Sequence, residues 1–526
     1  MIADGRLSAE LFPQDKPQDE CGVFGVIAPG QQVSQLAYYG LYSLQHRGQE
    51  AAGIAVSDTK QILVYKELGL VSQVFHDQNL ATLRGDLAIG HVRYATSGIG
   101  SWQNAQPTLG PTPFGTVALA HNGNLTNTED LMAGVRAASG TDLRDALGNG
   151  SSTDTAVITS MFGLPTEASS LEERALEVCP QLKGAFSLTF MDESTLYAAR
   201  DHHGFRPLVL GRLVTPEKAS NDANGAAGSN GSAETNEAAN GNGGEKANGG
   251  GAATAVAGWV VASETAALDI VGAEFVREIE PGELVIITAD GQVRSRRWAP
   301  TTRAGCVFEY VYLARPDTTI NGTMVNSART QMGRVLAREH PVEADLVMPT
   351  PESGTPAAIG YAQASGIPYG QGLVKNAYVG RTFIQPTQLA RQRGIRLKLN
   401  PMREVIEGKR LVVVDDSIVR GNTQRALVAM LRSAGAKEVH VRISAPPVRW
   451  PCFFGIDFPT RQELIANDLT MEGIRESIGA DSLGYISLDG MVEATGQSPD
   501  SMCIGCFTGS YPAGSAPASN NETVNL

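Results

Sequence analysis
The sequence predicts two joined folds: an α+β unit to about residue 300, then an α/β unit built on a parallel sheet. Three observations carry this. Short apolar, strand-like runs recur through the first half with a few helical stretches between them. From about residue 306, short apolar runs alternate with helical stretches, the rhythm of parallel strands joined by helices on both faces. Residues 215–257 are dominated by Gly, Ala, Asn, Ser and Glu, which cannot bury enough apolar surface to offset the entropy of ordering.

Taken in order, CGVFGVI at 21–27 reads as a buried strand and Leu36–Leu44 as helical. Leu87–Val92, Thr116–Ala120 and Phe186–Phe190 read as further strands. Strand-like sequence resumes at Gly258–Ala262, so 215–257 is expected to be a disordered insertion within one domain rather than a linker. In the second half Leu346–Met348, Leu411–Val414 and Val439–Ile443 read as strands, and Thr423–Ala434 as a helix. Gly509–Leu526 is rich in Pro, Ser and Asn and is expected to fray. The expected divisions are 1–20, 21–300, 301–480 and a C-terminal segment, 481–526.

At roughly 100–200 residues per domain, 526 residues make two to four domains. The formal net charge of -13 excludes a general binder of nucleic acid or anionic membrane. A phosphate-bearing ligand therefore needs a local basic patch. No run of 18 or more apolar residues occurs, so no transmembrane helix is expected. Residues 1–20 carry Asp4, Glu10, Asp15, Asp19 and Glu20 and lack the apolar stretch of a secretory signal. Six cysteines are too few for a disulfide scaffold, and a cytoplasmic chain with reduced thiols is expected.

Cys21 follows that acidic stretch directly. On its own it reads as a small buried residue at a strand start. Downstream stand HVRYAT at 91–96, HNG at 121–123 and SSTD at 151–154. Together they supply what amide hydrolysis needs. A thiolate attacks the carboxamide carbon. The Gly123 N–H and the Asn122 side-chain amide can donate to the resulting oxyanion. Arg93 can clamp a carboxylate in bidentate fashion, and Asp154 can hold an ammonium. Over about residues 21–295 this set resembles the class II, N-terminal-nucleophile glutamine amidotransferases. The resemblance implies an α-β-β-α sandwich, with Cys21 as nucleophile and Arg93 and Asp154 binding glutamine. It also implies that Asn122 with Gly123 forms the oxyanion hole, and that residues 1–20 are a propeptide whose removal frees the Cys21 α-amino group as base.

LVVVDDSIVRGNT at 411–423 is a buried strand ending in two acids, followed by a loop of small residues that opens a helix. Ligands bind at such strand ends, and the loop N–H groups and hydroxyls suit a phosphate at a helix N-terminus. An acidic strand end in a regulatory α/β domain is the plainer alternative. Between 375 and 403 lie Lys375, Arg381, Arg391, Arg393, Arg396, Lys398 and Arg403 with no acid, a focused anion site in an acidic chain. The 411–423 string resembles the signature of the type I phosphoribosyltransferases. PTPESG at 349–354 resembles that family's pyrophosphate loop, and KNAYVGRTF at 375–383 its closing loop. The resemblance implies phosphoribosyl pyrophosphate binding by Asp415, Asp416, Ser417, Arg420, Gly421, Asn422, Thr423, Lys375 and Arg381. It also implies one Mg²⁺ per subunit on Ser353, Asp415 and Asp416, to neutralise the pyrophosphate leaving group.

Cys306, Cys452, Cys503 and Cys506 remain, the last two spaced C-x-x-C as for two thiolates on one metal centre. From spacing alone, zinc and iron–sulfur stand nearly even. Cys179 reads as core. A glutaminase half followed by a phosphoribosyltransferase half is similar to the glutamine phosphoribosylpyrophosphate amidotransferase family, which opens purine nucleotide synthesis. That resemblance implies glutamine and phosphoribosyl pyrophosphate as substrates, feedback by purine nucleotides, and a homo-oligomer, often a tetramer. In one branch of the family the four cysteines carry a [4Fe-4S] cluster, one per subunit. A glucosamine-phosphate-forming relative is disfavoured by the phosphoribosyl signature. A non-catalytic phosphoribosyl-pyrophosphate sensor is disfavoured by the intact glutaminase set, and an iron–sulfur redox sensor stays open as a secondary property.

Overall fold
A computed structural model describes residues 21–94, 102–140, 153–214, 256–376, 399–456, 458 and 461–512. The expected propeptide, nearly all of the low-complexity stretch and Arg381 lie outside the described residues.

Strand Gly22–Ile27 lies between Leu87–Arg93 and Val256–Ala262, antiparallel to both. Its side chains alternate between two faces, as the strand period of two requires. Phe24 and Val26 pack outward against the helix Val33–Ser43 and its neighbours. Val23 and Ile27 point inward to a second sheet, where Ala118, Ala198 and Val285 meet them. The first sheet has seven strands and the second six. On the second sheet's far side, Phe186, Phe190 and Leu284 pack against helices Asp154–Phe162 and Leu171–Val178. The layers are therefore helix, sheet, sheet, helix. Cys179 is fully buried in that last layer, as expected of a core residue.

The insertion proves to be a hairpin connection. Strands Val209–Val214 and Val256–Ala262 are antiparallel neighbours, with Val214 opposite Val256. The second strand begins at Val256, inside the expected insertion, because Val256 still pairs with Val214, while Ala257 falls at a register shift.

The second unit is a four-stranded parallel sheet in the order Leu346–Pro349, Arg410–Asp415, Glu438–Ile443 and Ser482–Tyr485. Alternation again divides the faces. Val412 and Val414 pack toward helices Val325–Glu339 and Thr355–Ser365. Leu411 and Val413 pack toward Asn422–Ser433 and Met471–Ile478. The expected division at 480 falls just before the sheet's last strand, so this unit continues to at least Tyr485.

The C-terminal segment returns to the junction. Met502–Cys503 forms a short parallel pair with Gly305–Cys306. The expected fraying from Gly509 does not hold for residues 509–512. Tyr511 packs against Phe453 and Phe454 and donates its hydroxyl to Pro451 O at 2.6 Å. Among the described residues, no helix is long and apolar enough to cross a membrane.

Candidate functional site
Gly22 pairs with Val92, which sets Cys21 and Arg93 at the same end of neighbouring strands. The Cys21 thiol donates to Tyr94 O at 3.6 Å. Arg93 is almost fully buried, and its guanidinium lies 3.8 Å from the Glu50 carboxylate. Asn122 and Gly123 come from the second sheet, on strand Gly115–Leu125. Ser263 Oγ joins the two sheets here. It accepts from Val23 N at 2.9 Å and from Asn122 Nδ2 at 3.5 Å, bringing Asn122 to within two residues of Cys21 along the chain. Gly123 has φ +144, and a Cβ there would stand 2.1 Å from Ala185 O, so no side chain fits.

Asp154 opens the helix Asp154–Phe162, which Thr153 caps by accepting from Ala156 N. Its carboxylate accepts from Leu125 N at 3.2 Å and lies 3.5 Å from His121 Nδ1. Burial alone would raise its pKa. His121 and the two N–H donors outweigh that and hold it below the usual carboxylate range, so it stays ionised. His91 is fully buried and donates to His121 O at 3.0 Å. Burial pushes its pKa down to about 3, so it is neutral at physiological pH.

The sequence reading missed the support beneath Cys21. Arg47, buried, donates to Cys21 O at 3.2 Å. It also pairs with Glu264 at 2.5 Å and with Glu309 at 2.7 Å. Burial would raise the Glu264 pKa, but His46 and Arg47 hold it well below the carboxylate range. Glu309 belongs to the second half of the chain, and Arg206 reaches it from the other side at 3.5 Å. The one sequence signal was QHRGQE at 45–50, which supplies His46, Arg47 and Glu50 together.

The second constellation sits at the C-terminal end of strand Arg410–Asp415, as the α/β rule expects. Asp415 and Asp416 are fully buried. Asp415 accepts from Gln424 Nε2 and from Asp416 N. Asp416 accepts from Ser353 Oγ and from Ser417 Oγ, each at 2.6 Å. The 350–354 loop is laid on the strand end by Thr350 N donating to Val414 O at 2.8 Å. Gly421, φ +82, turns the chain into the helix Asn422–Ser433, placing Asn422 and Thr423 in its first turn. Arg420 instead pairs outward with Glu463 at 3.0 Å. Lys375 ends a short strand paired with Leu399–Pro401, the two stems of the basic segment.

The four remaining cysteines gather at the junction. Cys306 and Cys503 are opposite each other in the short parallel pair. Cys506 O accepts from Arg449 N and Trp450 N, drawing in the segment that carries Cys452. All six cysteines are free of disulfides. Burial pushes the Cys503 thiol up to about 12. It pushes Cys506 up further, with Cys306, Cys452 and Cys503 adding to the effect. Among the described residues, no group of three or more His, Cys, Asp or Glu side chains is arranged to hold a metal ion.

The family pattern described as a glutamine amidotransferase domain matches residues 91–217. The chain is 58% identical over 504 residues to the amidophosphoribosyltransferase of Mycobacterium bovis, covering 95% of this chain and 87% of that one. It is 44% identical over 504 residues to the amidophosphoribosyltransferase of Bacillus subtilis, covering 94% of each. The fold matches the solved glutamine phosphoribosylpyrophosphate amidotransferase of B. subtilis complexed with ADP and GMP. That match has a TM-score of 0.78 and 43% identity, over 94% of this chain and 97% of that one.

Proposed function
The chain belongs to the amidophosphoribosyltransferase family, glutamine-dependent enzymes of purine biosynthesis, and from that premise we propose how its residues divide the reaction. Glutamine gives up its amide nitrogen as ammonia, which replaces pyrophosphate at C1 of phosphoribosyl pyrophosphate. The products are 5-phosphoribosylamine, glutamate and pyrophosphate.

Arg93 takes the glutamine α-carboxylate, and Asp154, kept ionised, takes its α-ammonium. Cys21 Sγ attacks the side-chain carboxamide carbon. The proton goes to the Cys21 α-amino group, freed by removal of residues 1–20. His91 is too weak a base for that task, since burial lowers its pKa to about 3 and its Nε2 donates to His121 O. The oxyanion is met by Asn122 Nδ2 and Gly123 N–H. Ammonia leaves with the proton returned by the α-amino group, and water then cleaves the thioester to glutamate.

In the second half, the first turn of helix Asn422–Ser433 with Ser417 cradles the 5-phosphate, and Asp415 and Asp416 hold the ribose hydroxyls. Lys375 and Arg381 approach the pyrophosphate from the basic segment. Ser353, Asp415 and Asp416 are hard oxygen donors that fit Mg²⁺, which when bound neutralises the departing pyrophosphate. Cys306, Cys452, Cys503 and Cys506, two half-buried and two buried, would hold one iron–sulfur cluster per subunit, the group carried by one branch of the family. The cluster's contribution when bound is to tie the C-terminal segment to both halves. A cytoplasmic homo-tetramer under purine-nucleotide feedback completes the reading.

The observation that carries this division is the link from Asn122 through Ser263 to Val23, which sets an amide donor from one sheet beside the cysteine of the other. The test is Cys21→Ser in the full chain. Pyrophosphate release from phosphoribosyl pyrophosphate should persist with ammonia and vanish with glutamine, and intact mass of the active parent should begin at Cys21. Loss with both nitrogen sources, or full activity with residues 1–20 retained, overturns it.

A further inference from the structure
We propose that the turn Phe453–Gly455 and Glu309, both from the second half of the chain, are positioning elements for the glutaminase chemistry of the first half. The inference rests on the assignment of Cys21, Asn122 and Gly123 made above.

Gly123 is confined from two sides. On one side Ala185 O leaves no room for a side chain. On the other side lies Gly455, whose φ is +115. A Cβ on Gly455 would come to 3.5 Å from Gly123 C, 3.6 Å from its Cα and 3.2 Å from Arg206 Nη2. The two glycines therefore face each other across the boundary between the halves. The next residue along the strand, Asn124, donates its side-chain amide to Phe453 O at 2.9 Å. Arg206, fully buried, donates to Phe454 O through Nε at 3.1 Å and through Nη2 at 2.5 Å. Phe454 stacks on Phe205 with ring centres 4.2 Å apart. Phe453 and Phe454 are thus hydrogen-bonded to the first half, and Gly455 lies close against Gly123 and Arg206.

The second tie reaches the nucleophile. Glu309 stands between Arg206 and Arg47, and Arg47 holds the Cys21 carbonyl. Two guanidinium groups and two carboxylates, Glu264 and Glu309, compensate one another in a site nearly closed to water. Such a network has little freedom to re-form after one member moves. Hydrogen-bond donors aimed at a developing oxyanion act only when held in place in advance. A contact that sets the Gly123 backbone should therefore act on turnover of bound glutamine rather than on its binding. The transferase reaction with free ammonia uses none of these groups.

The experiment uses the full chain with its metal centres intact. Gly455→Ala should push on Gly123 and Arg206, and Asn124→Asp removes the donor to Phe453 O while keeping its shape. Each should lower kcat for glutamine hydrolysis by about tenfold or more, a fraction of what loss of a whole oxyanion donor costs. The KM for glutamine should move by less than about threefold, the signature of an interaction made in the transition state. Ammonia-dependent pyrophosphate release should stay near the parental rate. Because Gly455→Ala strains the backbone, Asn124→Asp stands as the independent variant. Equal losses with glutamine and ammonia, a loss confined to KM, or no loss in either variant overturns the proposal. If Cys21→Ser itself still hydrolyses glutamine, the underlying assignment has failed. An inactive Cys21→Ser beside unimpaired Gly455→Ala and Asn124→Asp removes this inference alone.

Discussion
His91 is fully buried, and its imidazole takes a proton only near pH 3, against 6.5 for an exposed histidine. His202 is shifted the same way, to about 4, by burial and by His203. The sign follows from proton counting. Between these values the unfolded chain binds protons that the folded chain refuses, so stability falls as pH drops below 6.5. The fully buried His91 contributes a slope of up to about 1.4 kcal/mol per pH unit, and the half-buried His202 less, because solvent screens it. Denaturant midpoints should therefore fall steadily from pH 6.5 to 4.5. His91→Gln should remove about one proton's share of that slope, and an unchanged slope would count against a neutral, buried His91. At this scale the sequence showed the chemistry-bearing residues and hid their supports. Cys21, Asn122 and Asp154 stood in short motifs with recognisable chemistry. Arg47, Arg206, Glu264 and Glu309 read as ordinary charges, because what makes them unusual is burial opposite partners up to 262 residues away.

Helices Val325–Glu339 and Thr355–Ser365 approach each other through two glycines. A Cβ on Gly333 would stand 1.9 Å from Ala357 O, and one on Gly360 would stand 1.9 Å from Thr330 O. Backbones this close leave no slack, so Gly360→Ala must drive the helices apart at a cost of about 1–3 kcal/mol or more. The second helix begins directly after the loop carrying Ser353, so its displacement should part Ser353 from Asp416. The expected result is a lower melting temperature and a higher KM for phosphoribosyl pyrophosphate, with glutamine hydrolysis spared. Calorimetry and the two separate assays check it. Largely apolar runs such as Leu87–Val92 and Leu411–Val414 were legible as strands, whereas Ala51–Ser57, Thr195–Arg200 and Glu283–Thr288 were not read; the first two are built of small or mixed residues. The last strand of the parallel sheet, Ser482–Tyr485, was not read. SLGY is short and half polar, and only its neighbour Glu438–Ile443 makes it a strand.

Over the whole molecule, the two halves meet where the four cysteines gather. If these thiols hold one cubane cluster, anaerobically purified protein should be brown, with about four iron and four sulfide per chain. One zinc per chain without iron would instead mean a single-ion site. The order of the two units was legible because each half carries its own motif set. Their mutual dependence was not, because Asn124 and Phe453 are 329 positions apart and neither belongs to a motif read from the sequence.

The pairing of Gly305–Cys306 with Met502–Cys503 joins the boundary between the halves to nearly the last described residues. During synthesis the first unit leaves the ribosome long before those residues exist. It can fold its sheets at once, since domains fold as units from the N-terminal end. Gly123, however, waits for its neighbour Gly455, and the strand that closes the junction waits for Cys503. A nascent or truncated chain therefore lacks the turn that backs Gly123. If Gly455 positions Gly123 as proposed, a chain truncated before residue 453 should hydrolyse glutamine more slowly than the full chain.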